Sequence, residues 1–191
     1  MRYFLILMTL LVLSLPLFGQ TVLEAEYPGY INDTVAVIDV PSQQLTLYKD
    51  GKAIRHYPVS TAERGVGNRA NSNQTPPGVH YIRKKMGAGE KSGTVFKARV
   101  STRKRVAVEH RPRHLDGDFV TSRILWLGGL EPGVNLGKGI DSFKRYIYIH
   151  GTPEEGLIGR PASHGCIRMR NADVIELFDL MPEKSLVKIN P

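Results

Sequence analysis

The chain has 191 residues, of which 41% are hydrophobic and 23% are charged, and it carries a formal net charge of +8. This length and apolar content fit one ordinary domain with a proper core, which excludes a peptide too small to fold around an apolar interior. The basic balance favours an anionic partner, either nucleic acid or a carboxylate-rich polymer, and charge alone does not choose between them.

Residues 1–19 have the pattern of a secretory signal peptide. Arg2 supplies the positive start, and residues 3–13 are almost entirely apolar. This apolar stretch is shorter than a typical membrane span. We therefore predict export, with cleavage near Gly19 and no stable membrane span afterwards; a retained N-terminal anchor is the alternative. Residues 20–32 are predicted to be a short linker before a single domain over residues 33–190.

Alternating and β-branched runs predict that this domain is mostly β. Asp50-Gly51 separates two of the runs and predicts a tight hairpin, because both loop positions favour a positive φ. One helix is predicted after Asn171, which is placed to cap it, and Pro182 ends it. The predicted strands cover residues 34–40, 44–49, 52–59, 79–84, 119–129, 145–149 and 185–189.

Residues 86–118 contain a dense basic run that could contact nucleic acid. A nucleic-acid surface would interleave such charges with aromatic rings for stacking, but only Phe96 and Phe119 lie close. We therefore predict a solvated basic surface and no nucleic-acid partner. The charged residues are Arg99, Arg103, Lys104, Arg105, Arg111 and Arg113.

Cys166 is the only cysteine of the chain, so no internal disulfide can form. His164 lies two residues before it, and His150 ends the run at 145–149. A loop rich in Gly and Pro between His150 and Cys166 could fold the strand-end imidazole back onto the thiol. An imidazole near a thiol lowers its pKa and accepts its proton, which is the pattern of a cysteine nucleophile.

These residues carry a family resemblance. The run Ser163-His164-Gly165-Cys166-Ile167-Arg168, preceded by His150-Gly151, closely resembles the signature of the L,D-transpeptidases of bacterial cell walls, the YkuD-type catalytic domain. The resemblance extends from about residue 33 to the C-terminus and includes the turn at residues 73–78. It implies a β-sandwich-like core of mixed sheets with one main helix after the cysteine, in a periplasm or cell-wall compartment.

The resemblance also implies an activity. Cys166 would attack the amide between the third and fourth residues of a peptidoglycan tetrapeptide stem, release the terminal D-Ala and form a thioester. An amine of a second stem would then resolve the thioester and give a 3→3 cross-link. Water as acceptor would make the same site an L,D-carboxypeptidase, and attachment of lipoproteins is a further use. The implied partners are stem peptides and carbapenem inhibitors, and no cofactor is implied.

Roles for individual residues follow from the same resemblance. His150 is expected to be the general base, oriented by a backbone carbonyl, and His164 is the competing candidate. The N–H groups of Gly165 and Cys166 are expected to bind the oxyanion. Glu154 and Glu155 are interpreted as solvated loop charges.

Three further residues of the motif are predicted to bind substrate: Arg168, Ser163 and Gly151. Arg168 could pair with a substrate carboxylate or stabilise the fold, and both roles stay open. Two alternatives of another class remain as well. The two histidines and Cys166 could hold zinc, although no standard ligand spacing supports a metal site. The chain could also be a peptidoglycan-binding protein without catalytic activity.

Overall fold

The computed structural model describes residues 26–191, in which ten strands form one branched mixed sheet beside a single α-helix. Among these residues no helix has the length and apolar character needed to cross a membrane. The strands are β1 (Ile31–Asp39), β2 (Gln44–Lys49), β3 (Lys52–Pro58), β4 (Gly78–Met86), β5 (Thr94–Lys97), β6 (Val100–Arg105), β7 (Val120–Gly129), β8 (Tyr148–Gly151), β9 (Ile167–Met169) and β10 (Ser185–Asn190).

The strand order places the strands that carry the sequence motif, β8 and β9, at a branch of the sheet. The main path runs β3-β2-β1-β10-β4-β7-β5-β6, and β8 leaves it by pairing with β7. β9 then pairs with β8 in parallel, and β10 pairs in parallel with β1. The predicted signal peptide and the first part of the predicted linker, residues 20–25, lie outside the described residues. Tyr27 and Tyr30, from the described part of that linker, pack against the sheet.

The first three strands form the predicted antiparallel unit. Asp50 and Gly51 have φ values of 47° and 77°, as the tight hairpin between β2 and β3 requires. Leu45 and Leu47 of β2 are fully buried, because alternate side chains of a strand point to the same face. Local sequence therefore determines this part of the fold.

The helix α1 (Asn171–Leu180) packs its apolar face against β7 and β8. Val174 and Leu177 are fully buried, as is Met181 directly after the helix. The predicted cap is wrong, because Arg170 occupies the N-cap position without a side-chain hydrogen bond, and Glu155 Oε1 accepts the N–H of Asn171. Asn171 instead lies buried under the helix, where its side chain accepts hydrogen bonds from Thr121 and Ser122 at 2.7 and 2.5 Å.

The basic run contains a hairpin that the sequence did not predict. β5 and β6 meet at Ala98 and Arg99, whose φ values are 46° and 69°. Residues other than glycine seldom adopt such values, so no turn signal marked the position. Exposure of Arg103, Lys104 and Arg105 agrees with the predicted solvated surface. The fold class is nevertheless confirmed: the described chain is mostly β, with one main helix after the cysteine.

Candidate active site

Cys166 lies directly before β9, and two backbone groups at or just before the start of β8 contact its sulfur. The N–H of Tyr148 and the carbonyl oxygen of Tyr146 each lie 3.4 Å from Sγ. The sulfur therefore accepts one hydrogen bond and donates its proton in another. The side chain is half-buried and unpaired, at the edge of an apolar cluster that includes Trp126.

The parallel pairing of β8 and β9 brings His150 to the same edge. Ile149 is opposite Ile167 and His150 is opposite Arg168, so the same register sets Cys166 beside Tyr148. Side chains two residues apart on a strand share a face, so His150 and Cys166 project to one side. From the strand spacing and rise, their Cα atoms are about 8 Å apart. Pairing of the two strands thus brings the imidazole and the thiol to the same face of the sheet.

One hydrogen bond determines the tautomer of His150. Its Nδ1 lies 2.8 Å from the carbonyl oxygen of Gly151, which can only accept, so Nδ1 carries the proton. The ring is 2% exposed, and burial lowers its pKa to about 4. At neutral pH the imidazole is therefore neutral, and Nε2 holds a lone pair that can accept a proton. The backbone orientation predicted for His150 is present in the structure.

The thiol differs from the expectation in its resting protonation state. Burial raises the pKa of Cys166 to about 12, and the N–H of Tyr148 offsets this only in part. Nearby cations are too few to overcome the loss of water around the sulfur. The site at rest thus pairs a neutral thiol with a neutral imidazole, whereas the sequence predicted a thiol activated in advance.

The turn before Cys166 is held by a serine and a threonine. Ser163 Oγ donates to the carbonyl of Cys166 at 2.6 Å and accepts the N–H of Gly165 at 3.2 Å. Thr75 Oγ donates to the carbonyl of Gly165 at 3.0 Å, and the φ of Gly165 is 129°. The expected oxyanion donor Gly165 is therefore already bonded to Ser163. The N–H of Cys166 has no hydrogen-bond partner among residues 26–191.

Arg168 and Glu154 form a buried ion pair behind the histidine. Arg168 Nη1 lies 2.7 Å from Glu154 Oε2, and Nη2 lies 2.8 Å from Asp118 Oδ1. The interpretation of Glu154 and Glu155 as solvated loop charges is wrong. Glu154 is 4% exposed, and Glu155 Oε1 accepts the backbone and side-chain N–H groups of Asn171 at 2.9 and 2.8 Å. Of the two roles left open for Arg168, these contacts favour stabilisation of the fold, because both terminal nitrogens already bind carboxylates.

Comparison with known proteins decides the family. A model of the L,D-transpeptidase catalytic domain matches residues 33–189. The chain belongs to the YkuD family of L,D-transpeptidase catalytic domains. This confirms the resemblance carried by the residues from Ser163 to Arg168.

Similar proteins cover this L,D-transpeptidase domain only in part. "Putative L,D-transpeptidase YkuD" of Bacillus subtilis is 49% identical over 47 residues, which are 25% of this chain and 29% of that protein. L,D-transpeptidase 3 from Mycobacterium tuberculosis, in complex with a faropenem-derived adduct, has a TM-score of 0.53 at 15% identity, over 83% of this chain and 60% of that one. A mutant of Enterococcus faecium L,D-transpeptidase has a TM-score of 0.50 at 19% identity, over 84% of this chain and 50% of that one. The structural likenesses show the fold.

His164 occupies a different position from His150 in this L,D-transpeptidase domain. Its side chain is 59% exposed, and Nδ1 lies 3.5 Å from Asp118 Oδ2. It separates two surface cavities, one beside Lys144 and Arg145 and the other beside Asp118. Among the described residues no group of His, Cys, Asp and Glu side chains is arranged to hold a metal ion. The side chain of His164 can therefore contact a molecule bound in either cavity.

Sequence reasoning missed the aromatic surface beside Cys166. Trp126 stacks on Phe143 with ring centroids 3.9 Å apart, and Tyr146 and Tyr148 pack against the same indole at 5.6 Å. Arg99 lies across this group, 5.1 Å from the indole ring. The alternation of Tyr146 and Tyr148 with isoleucines was visible in the sequence, but the contribution of Arg99 from a distant hairpin had no local signal.

Proposed function

We propose that this protein is an exported cysteine L,D-transpeptidase that acts on tetrapeptide stems of peptidoglycan. The observation that carries the proposal is the arrangement around β8: backbone groups of Tyr146 and Tyr148 hold the sulfur of Cys166, and the same strand presents His150 with only Nε2 free to accept a proton. Export is supported by the signal-peptide pattern of residues 1–19.

Acylation would proceed by general-base catalysis. His150 Nε2 takes the thiol proton while Sγ attacks the carbonyl carbon of the amide between the third and fourth stem residues. The tetrahedral oxyanion is stabilised by the N–H of Cys166, which makes no competing hydrogen bond with the described residues. The C–N bond then breaks, the imidazolium protonates the leaving amine, and D-Ala departs from a thioester on Cys166.

Deacylation would use the same groups in reverse. An amine from a second stem attacks the thioester carbonyl and passes a proton to His150, and the C–S bond breaks as the 3→3 amide forms. The proton returns to the sulfur, so atoms and charge balance over the cycle. Water in place of the amine would give a carboxypeptidase, and an amine of a lipoprotein would give protein attachment.

The resting protonation state supports a nucleophile that reacts when substrate is bound. A thiol whose pKa is raised by burial holds little thiolate at neutral pH, so it is a weak target for stray electrophiles. Transfer of the proton to His150 becomes favourable only as negative charge moves from the sulfur to an oxyanion bound by a fixed N–H group. Such a site suits a lone cysteine outside the cytoplasm.

Incubation of the purified protein with a disaccharide-free tetrapeptide stem tests the proposal. Intact-protein mass spectrometry should show a covalent tripeptide adduct that maps to Cys166, with release of one D-Ala. Addition of a second stem should give a 3→3 dimer, whereas appearance of free tripeptide alone would identify a carboxypeptidase. Imipenem should label the same cysteine. If a Cys166→Ala protein forms the cross-link as well as wild type does, the catalytic assignment is wrong.

A further inference from the structure

Arg99 is a cation without an acidic partner on the surface beside the nucleophile. It lies at the tip of the β5–β6 hairpin, 67 residues before Cys166 in the chain. No carboxylate among the described residues forms an ion pair with it. The strong contacts of an arginine are those with a carboxylate, and Arg99 is held in place without one.

Three aromatic side chains fix the guanidinium of Arg99. Its Cζ is 4.8 Å from the ring centroid of Tyr146 and 5.1 Å from that of Trp126, and Nη1 lies 3.4 Å from the hydroxyl of Tyr148. Cation–π contacts of this kind attract the charge without using the N–H donors at the edge of the plane. The group is thus positioned while most of its donors stay available.

The same tyrosines connect Arg99 to the reacting sulfur. The carbonyl of Tyr146 and the N–H of Tyr148 are the two groups that contact Sγ of Cys166, each at 3.4 Å. The guanidinium therefore packs on the side chains of the two residues whose backbone seats the nucleophile. Two other arginines near the sulfur have their N–H donors engaged: Arg168 pairs with carboxylates, and Arg145 donates to the carbonyls of Gln74 and Gly67.

We propose that Arg99 binds a carboxylate of the donor peptide and thereby selects donors that carry this group close to the scissile amide. The inference rests on the proposed function for the identity of the donor. A planar guanidinium offers two parallel N–H donors that match a carboxylate, and the aromatic rings that flank it hold the plane in one place. The carboxylate is that of the terminal D-Ala or that of the diaminopimelate side chain.

Binding measured without chemistry tests the inference. In a Cys166→Ala background, calorimetry compares the tetrapeptide stem with two derivatives, one amidated at the terminal D-Ala and one amidated at the diaminopimelate side-chain carboxyl. One of the two amides should bind roughly 10- to 100-fold more weakly than the free acid, and its identity names the carboxylate. Arg99→Gln should weaken binding of the free acid to the affinity of that amide, and it should leave the affinity for the amide unchanged.

Two controls keep the result specific to Arg99. Arg103→Gln removes the same charge from an exposed position on the same hairpin, and it should preserve the discrimination between acid and amide. Arg99→Lys should restore only part of it, since a lysine lacks the planar fork. Thermal melting of each variant checks that the hairpin still folds.

The inference is overturned if Arg99→Gln discriminates acid from amide as wild type does, or if the free acid shows no measurable binding. Failure of the proposed function has a separate signature, because it would appear as loss of the tripeptide adduct on Cys166 in the wild-type protein. If the wild-type protein forms no adduct but Arg99→Gln still removes the discrimination between acid and amide, then Arg99 binds a ligand in a protein without catalytic activity.

Discussion

Arg168 and Glu154 meet 2.7 Å apart in a part of the domain where both side chains are almost fully excluded from water. Glu154 Oε1 also accepts the N–H of Leu115 at 2.6 Å, and Asp118 binds the second nitrogen of Arg168. These contacts tie β9 to the segment before β7 and to the turn after β8. The structure around His150, which pairs with Arg168 across β8 and β9, is therefore stabilised by ion pairs as well as by apolar packing.

Replacement of Arg168 by Gln should destabilise the protein by about 3–5 kcal/mol, because a buried carboxylate at Glu154 would lose its partner. Urea denaturation measures the change. Arg55→Gln is the matched control: its ion pair with Glu176 lies on the surface, with side chains 50% and 43% exposed, and should contribute about 0–1 kcal/mol. An Arg168→Gln protein of wild-type stability with weakened donor binding would instead support the carboxylate-binding role.

Removal of each histidine distinguishes the base from its competitor. His150→Asn should reduce the rate of acylation by roughly 10²–10⁴, since the proton acceptor is lost. His164→Asn should have a much smaller effect on acylation, because this exposed ring contacts Asp118 and the cavities on either side. Single-turnover mass spectrometry with the tetrapeptide measures both rates. The reverse order of effects would assign the base to His164.

Alkylation of Cys166 by iodoacetamide should respond to pH differently from acylation by the donor. The folded thiol has a pKa raised to about 12, so its alkylation rate should keep rising above pH 9, the usual value for a cysteine. In urea the same cysteine should titrate near that usual value. Donor acylation should already be constant above about pH 5, where His150 is neutral, and should fall below about pH 4. Alkylation that levels off near neutral pH would demonstrate a preformed thiolate.

Stability should decrease as pH falls from 6.5 to 4. Burial lowers the pKa of both His80 and His150 from 6.5 to about 4, so in this range the unfolded chain binds protons that the folded protein does not. Folding stability then rises with pH, by about 3 kcal/mol per histidine across the window, and is fully present above it. Urea midpoints at pH 7 and 4.5 measure the slope, which His80→Gln should reduce. NMR titration of the two rings that shows protonation near pH 6.5 would contradict the assignment.

Features set by neighbouring residues could be predicted from the sequence. The hairpin at Asp50-Gly51 follows from two adjacent residues that accept positive φ, and α1 follows from the helical spacing of Val174, Leu177 and Phe178. The family resemblance came from one short motif, the residues from Ser163 to Arg168, together with a histidine at a strand ending. Each of these inferences needed only a few residues close together in the chain.

Features set by distant residues could not be predicted. The charge of Glu154 gives no indication that Arg168 will bury it, and a glutamate in a polar loop is ordinarily solvated. Asn171 has a residue type favoured at a cap, yet Thr121 and Ser122 of β7 take up its side chain. The β5–β6 turn has neither Gly nor Asn at the positions with positive φ. The environments of Glu154 and Asn171 depend on partners 14 or more residues away. The β5–β6 turn depends on a backbone conformation that has no local sequence signal.

The position of β10 has a consequence for how the molecule is made. This strand hydrogen-bonds to β1 on one side and to β4 on the other, although it follows every other strand in the chain. Until residues 185–190 have been synthesised, the two halves of the sheet have no shared neighbour to join them. Long-range pairing of this kind is slow to form, so the sheet can close only late in synthesis, after its last strand is made.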